Sequence, residues 1–237
     1  MLVLLHGFTQ NASCWGPLGS HLGRSHTVVA VDLPGHGGSA TVDADLDETA
    51  ALVLEVVGSD RFDLFGYSLG GRVALTTALA APERIDHLVL LGATAGIDDP
   101  EAAAERRRSD EALATAIERE DDLPAFLRRW LDQDLFRDLD DDQAQLVARC
   151  RNTVGGLARS LRRAGAGTQD PSWERLARLD IPTLVIAGQE DAKFRAIAER
   201  MVELLPDGEL AVVEGAGHAC HLTRPDAVGR LVDGWLG

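Results

Sequence analysis

The chain has 237 residues, 45% of them hydrophobic, with a formal net charge of −15 and three cysteines. That length holds one large domain or one domain carrying an insertion, and the charge argues against nucleic acid or an anionic membrane surface as a partner. No apolar run is long enough to cross a bilayer, and Cys14, Cys150 and Cys220, far apart and without a C-x-x-C pair, argue against both a disulfide framework and a zinc site.

Leu2 to Leu5 is a continuous apolar run ending in His6-Gly7-Phe8. It lacks the basic flank and small-residue cleavage site of a signal peptide, so it reads as a strand and the expected location is the cytoplasm. Thr27 to Val31 is a second such run, ending in Asp32-Leu33-Pro34-Gly35-His36-Gly37-Gly38-Ser39. Both are expected to be buried parallel strands. The spacing predicts a short helix over Trp15 to Leu22 and another over Glu48 to Val57, with Leu52, Val53, Val56 and Val57 as its apolar positions. Phe62, Leu64 and Phe65 form the next strand, followed by a helix and by the run Ile85, Leu88 to Leu91. Strands alternate with helices, the pattern of an α/β fold with a parallel sheet covered on both faces and ligand groups at the carboxyl ends of its strands.

From residue 98 to residue 170 no strand-like run occurs, and Ala, Arg, Glu and Leu dominate. This stretch is expected to be a helical lid inserted into a core made of 1–97 and 171–237. Between Glu101 and Arg163 lie twelve arginines and fourteen acidic residues, so the segment is nearly neutral while the rest of the chain is strongly acidic. Most of these arginines are expected to be solvated and paired with neighbouring acids. The sheet resumes at Thr183 to Gly188, followed by a helix from Phe194 to Leu205, a strand from Leu210 to Val213 and a final helix from Pro225 to Trp235. There is no internal repeat, low-complexity tract or linker.

Gly66-Tyr67-Ser68-Leu69-Gly70 lies between a strand and a helix, the setting of a nucleophile elbow, in which small residues let the chain turn tightly enough to expose the serine. A serine hydroxyl needs a histidine to take its proton and a carboxylate to fix that histidine's tautomer. In folds with this elbow the chain order is Ser, then Asp or Glu, then His. Asp191 follows the strand Leu184 to Ala187, with Glu190 as a competitor, and His218 follows the strand Leu210 to Val213, with His221 as a competitor. An oxyanion hole would use the N–H groups of Leu69 and Phe8. His6 and His36 read as structural loop histidines. Arg72, four residues beyond Ser68 on the same helix, either reaches toward the site or is a surface arginine. No metal-ligand set is present, and Gly35-His36-Gly37-Gly38 lacks the lysine and glycine spacing of a nucleotide loop.

His6-Gly7-Phe8, Asp32 to Ser39, Gly66 to Arg72, Glu105-Arg106-Arg107-Arg108-Ser109-Asp110, Gly155 to Ala158, Asp191-Ala192-Lys193-Phe194 and Gly217-His218 together resemble one family over nearly the whole chain. It is the α/β-hydrolase-fold lyase of menaquinone biosynthesis, 2-succinyl-6-hydroxy-2,4-cyclohexadiene-1-carboxylate (SHCHC) synthase. The resemblance implies a lyase that eliminates pyruvate from 2-succinyl-5-enolpyruvyl-6-hydroxy-3-cyclohexene-1-carboxylate without an acyl-enzyme, using Ser68, Asp191 and His218. Tyr67, Arg72, Arg106 and Trp130 match family positions lining the pocket, a further lid arginine falls on Arg149 in preference to Arg151, and Lys193, the only lysine, follows the family's Asp-x-Lys pattern. The partner implied is a small polycarboxylate, suited to arginine's planar fork. The expected state is a monomer or small homo-oligomer, without metal or cofactor. Two features depart from the family: the chain opens directly on its first apolar strand, and Leu131 stands beside Trp130 where some relatives have a second aromatic. The triad by itself also fits a carboxylesterase or C–C bond hydrolase, and the lidded pocket fits a catalytically idle ligand-binding member.

Overall fold

The computed structural model describes all residues, Met1–Gly237. Six strands form one sheet: β1 (Leu2–Leu5), β2 (Val28–Val31), β3 (Phe62–Tyr67), β4 (Ile85–Leu91), β5 (Thr183–Gly188) and β6 (Gly208–Val213). Their order is β2-β1-β3-β4-β5-β6, and every pair is parallel. Parallel neighbours need crossovers, which here are α1 (Gly16–Leu22), α2 (Leu46–Val57), α3 (Leu69–Ala80) and, after β5, α9 (Ala192–Leu204). Between β4 and β5 the chain runs through α4 (Pro100–Glu120), α5 (Leu123–Leu131), α6 (Leu146–Arg149), α7 (Val154–Ala164) and α8 (Trp173–Leu176). It closes with α10 (Cys220–Thr223) and α11 (Pro225–Leu236).

The central strands are mostly apolar, β1 at all four positions, because both faces of the sheet are covered. Val3, Leu5, Leu64, Leu88, Leu90 and Val185 face one core with residues of α2, α3 and α9. Leu2, Leu4, Phe65, Val89, Leu91 and Ile186 face the other, with Leu18 and Leu22 of α1 and Val228 and Val232 of α11. A third, smaller cluster joins Ile117 of α4, Phe126 and Leu127 of α5, and Leu157 and Leu161 of α7.

Two expectations are corrected. β2 is not a buried strand; it lies at the sheet edge and all four of its residues are only half-buried. The helix α2 starts two residues earlier than its apolar letters suggest, because Asp45 caps it: the Asp45 carboxylate accepts from the Glu48 N–H and the Glu48 carboxylate accepts from the Asp45 N–H. Its buried face is Leu46, Thr49, Ala50 and Val53, whereas Leu52 and Val56 are exposed.

Candidate active site

β1, β3, β5 and β6 run the same way, so the loops after them gather at one edge of the sheet. Ser68 sits in the turn between β3 and α3 with φ of 52°, a left-handed conformation unusual for a residue with a side chain. The flanking glycines make the turn possible. A Cβ on Gly66 would lie 2.2 Å from the Gly70 carbonyl oxygen, and one on Gly70 would lie 1.9 Å from the Leu5 carbonyl oxygen. As the first residue of α3, Leu69 has an N–H without an intrahelical acceptor.

His218 Nδ1 donates to Asp191 Oδ2 at 2.7 Å, and His218 Nε2 lies 3.3 Å from Ser68 Oγ, whose hydroxyl can donate to it. A carboxylate only accepts, so the proton sits on Nδ1 and the lone pair of Nε2 faces the serine. Asp191 also caps α9, accepting from the Phe194 N–H through Oδ1 at 3.2 Å. Among the competitors, Glu190 is exposed, and His221 is buried beneath Tyr67, its Nε2 3.0 Å from Gln10 Nε2. Burial holds the His221 imidazole well below its ordinary pKa. His6 is likewise committed to the fold, with Nε2 accepting from the Leu33 N–H at 3.1 Å, and burial keeps it and His36 neutral, His36 lowered to about 4.

A cavity of about 180 Å³ opens at Ser68 and His218. Phe8, Tyr67, Leu69, Arg72, Arg106, Trp130 and Lys193 all line it. Trp130 of α5 packs edge-on against Phe8 at 5.0 Å, and its buried indole N–H has no acceptor. Arg106 of α4 donates through Nε to the buried Asp110 carboxylate at 2.9 Å. Arg72 is buried, not a surface residue: its guanidinium donates to the carbonyls of Ala164 (2.8 Å) and Gly165 (3.3 Å) at the end of α7. Desolvation, reinforced by the nearby Arg106 charge and opposed by Asp110, lowers its pKa to about 10, so it remains a cation. Lys193 has no carboxylate within ion-pair distance; its Nζ lies 5.5 Å from the Phe194 ring centre. The cavity wall is therefore cationic although the molecule is acidic.

Among the substrate-binding residues picked from the sequence, Arg149 alone does not line the cavity. Its guanidinium is buried with no carboxylate partner, donating from Nε to the Ala144 carbonyl at 2.8 Å and from Nη1 to Thr9 Oγ1 at 2.5 Å. Burial lowers its pKa. Arg151 is exposed and lies outside the cavity as well. Acid pairing also reaches fewer arginines than expected. Arg106, Arg108, Arg129, Arg162 and Arg163 form ion pairs, while Arg107 and Arg159 hold backbone carbonyls. Thr94, Phe136 and Ser160 line the cavity without having been singled out from the sequence. For Ser160 the periodicity of α7 was the available signal, since it shares the buried face of Leu157, Leu161 and Ala164.

A model of the alpha/beta hydrolase family matches residues 2–231. The chain is 35% identical over 233 residues to the 2-succinyl-6-hydroxy-2,4-cyclohexadiene-1-carboxylate synthase of Escherichia coli O1:K1 / APEC, an alignment covering 96% of this chain and 90% of that one. Among solved structures it is similar to MenH from S. aureus, with 30% identity and a TM-score of 0.91 over 99% of this chain and 92% of the other. It is also similar to a thermophilic esterase from Thermogutta terrifontis solved with malate bound, with 26% identity and a TM-score of 0.81 over 99% and 88%. With both sequence and fold aligned over nearly their full lengths, the chain belongs to the alpha/beta hydrolase family and, within it, to the 2-succinyl-6-hydroxy-2,4-cyclohexadiene-1-carboxylate synthase family.

Proposed function

We propose that the protein is a lyase that releases pyruvate from 2-succinyl-5-enolpyruvyl-6-hydroxy-3-cyclohexene-1-carboxylate, leaving SHCHC, in menaquinone biosynthesis. One observation carries the reading beyond fold: a Ser68-His218-Asp191 hydrogen-bonded chain opens onto a cavity lined by Arg72, Arg106 and Lys193. A hydrolase of neutral esters has no need of three cations there; a substrate with several carboxylates does. The names of the curated relatives give the same product, SHCHC.

In this reading Ser68 Oγ, with its own proton held by His218 Nε2, takes a carbon-bound proton from the ring. The electron pair left behind forms the new ring double bond and expels the enolpyruvyl group by breaking its C–O bond. The departing enolate picks up a proton and becomes pyruvate, so neither an acyl-enzyme nor a water molecule is consumed. The N–H groups of Phe8 and Leu69 would hold the oxygen on which negative charge develops during proton abstraction. Residues 98–170 act as a lid, bringing Arg106 and Trp130 over the strand ends. No metal or cofactor takes part, and the enzyme works as a monomer or small homo-oligomer in the cytoplasm.

The test is pyruvate formation from that substrate by wild type, Ser68→Ala and Arg106→Ala. Loss of the base should lower turnover by about 10³-fold. Removing one charge-assisted contact should lower kcat/KM by roughly 10- to 100-fold, mostly through KM. Wild-type protein that is folded and releases no pyruvate above the spontaneous rate would overturn the reading in favour of the esterase alternative.

A further inference from the structure

The imidazole of His218 is approached from the helical segment as well as from the sheet. Asp138, in the stretch between α5 and α6, accepts the Gly217 N–H through Oδ2 at 2.6 Å. The contact is close-fitting: a Cβ on Gly217 would lie 2.7 Å from Asp138 Oδ1 and 2.9 Å from Cγ. Two residues earlier Phe136 packs edge-on to the His218 ring, with centroids 6.3 Å apart. Asp138 does not line the cavity that holds Ser68 and the cationic wall. It borders a second cavity, of about 230 Å³, on the Asp191 side of His218, with Asp134, Arg137, Glu190 and Asp191.

We infer that Asp138 is a positioning residue for His218: by fixing the Gly217 amide it sets where the His218 ring stands relative to Ser68, the proposed base, and so couples the seating of the helical segment to catalysis. The gap it controls is the weak link of the triad. His218 is held firmly to Asp191 at 2.7 Å, but Nε2 is 3.3 Å from Ser68 Oγ, so a small shift of the loop would break the serine contact first. Because Asp138 does not line the substrate cavity, losing it should slow turnover without weakening binding. The role belongs to the hydrogen bond, so an amide, whose oxygen also accepts, should replace the carboxylate.

The inference rests on the triad reading, and its test separates the two. Wild type, Asp138→Ala and Asp138→Asn are compared for pyruvate release and for the rate at which a fluorophosphonate labels Ser68, a reaction that also needs His218 as base. Labelling end-points count the folded sites, and hydrogen exchange at the Gly217 amide reads the bond directly. Asp138→Ala should lower kcat per labelled site by about 10-fold with KM within about 2-fold, slow labelling in parallel and speed exchange at Gly217, while Asp138→Asn restores kcat to within about 3-fold. Labelling and kcat at wild-type rates in Asp138→Ala would overturn the positioning role while leaving the triad intact. A fall in Asp138→Asn equal to that in Asp138→Ala would overturn the hydrogen-bond account, and wild type that neither labels nor turns over would overturn the triad and this inference with it.

Discussion

Asp191 does two jobs with two oxygens: Oδ2 orients His218 and Oδ1 caps α9. The jobs come apart on substitution. In Asp191→Asn the amide nitrogen facing Nδ1 would favour the opposite tautomer, placing a proton on Nε2 and leaving nothing to accept from Ser68. Turnover should fall by about 10³- to 10⁴-fold. Asparagine caps helices about as well as aspartate, so its urea midpoint should stay near that of wild type, whereas Asp191→Ala should lose activity and about 1 kcal/mol of stability as well. Urea unfolding of both variants beside pyruvate release checks this; equal destabilisation by Asn and Ala would mean that the cap contributes nothing.

At the scale of an element, α2 shows how a helix chooses its buried face. Val53 is 2% exposed and Val56 is 63% exposed, although both are valines three residues apart on the same helix. Truncating Val53 removes methyl groups packed in the core and should cost about 2 kcal/mol; truncating Val56 should change stability by less than about 0.5 kcal/mol. Denaturant unfolding of the two alanine variants decides it, and equal losses would contradict the packing described. The same helix marks the limit of what could be read from the chain. Strands buried on both faces appear as apolar runs, and parallel strands put Ser68, Asp191 and His218 at one edge, so the fold and the gathering of these three residues were legible from local pattern. The face of α2 was not, because leucine and valine on a surface helix carry no label saying which of two adjacent stripes meets the sheet. Nor was the burial of Arg149, which depends on Thr9, 140 residues away. Gly217 could be flagged from its place before His218, but its contact with Asp138 is set by how the helical segment folds back.

For the whole molecule, acidity acts in two opposing ways. Lowering pH toward the isoelectric point near 4.8 reduces the self-repulsion of a chain at −15, which favours the compact state. Against this stand three buried histidines, His6, His36 and His221, all with folded pKa values lowered mainly by desolvation. For His6 and His221 the geometry agrees, since one ring nitrogen of each accepts a hydrogen bond that protonation would abolish. A histidine with a lowered folded pKa takes up its proton first in the unfolded chain. Its stabilisation is therefore whole above the unfolded value of about 6.5 and is lost as pH falls from there toward the folded value. For His36, lowered to about 4, the loss over that window is about 3 kcal/mol. The local effect should win: dispersed surface charges are screened beyond about 8 Å at physiological salt, whereas each buried histidine contributes its full slope of about 1.4 kcal/mol per pH unit. Urea unfolding at about pH 7.5 and 5.5 should show the protein several kcal/mol less stable at the lower value, and His36→Asn should remove roughly a third of that dependence. Stability that is flat or rising as pH falls through this window would mean that relief of the net charge outweighs the burial of the three imidazoles.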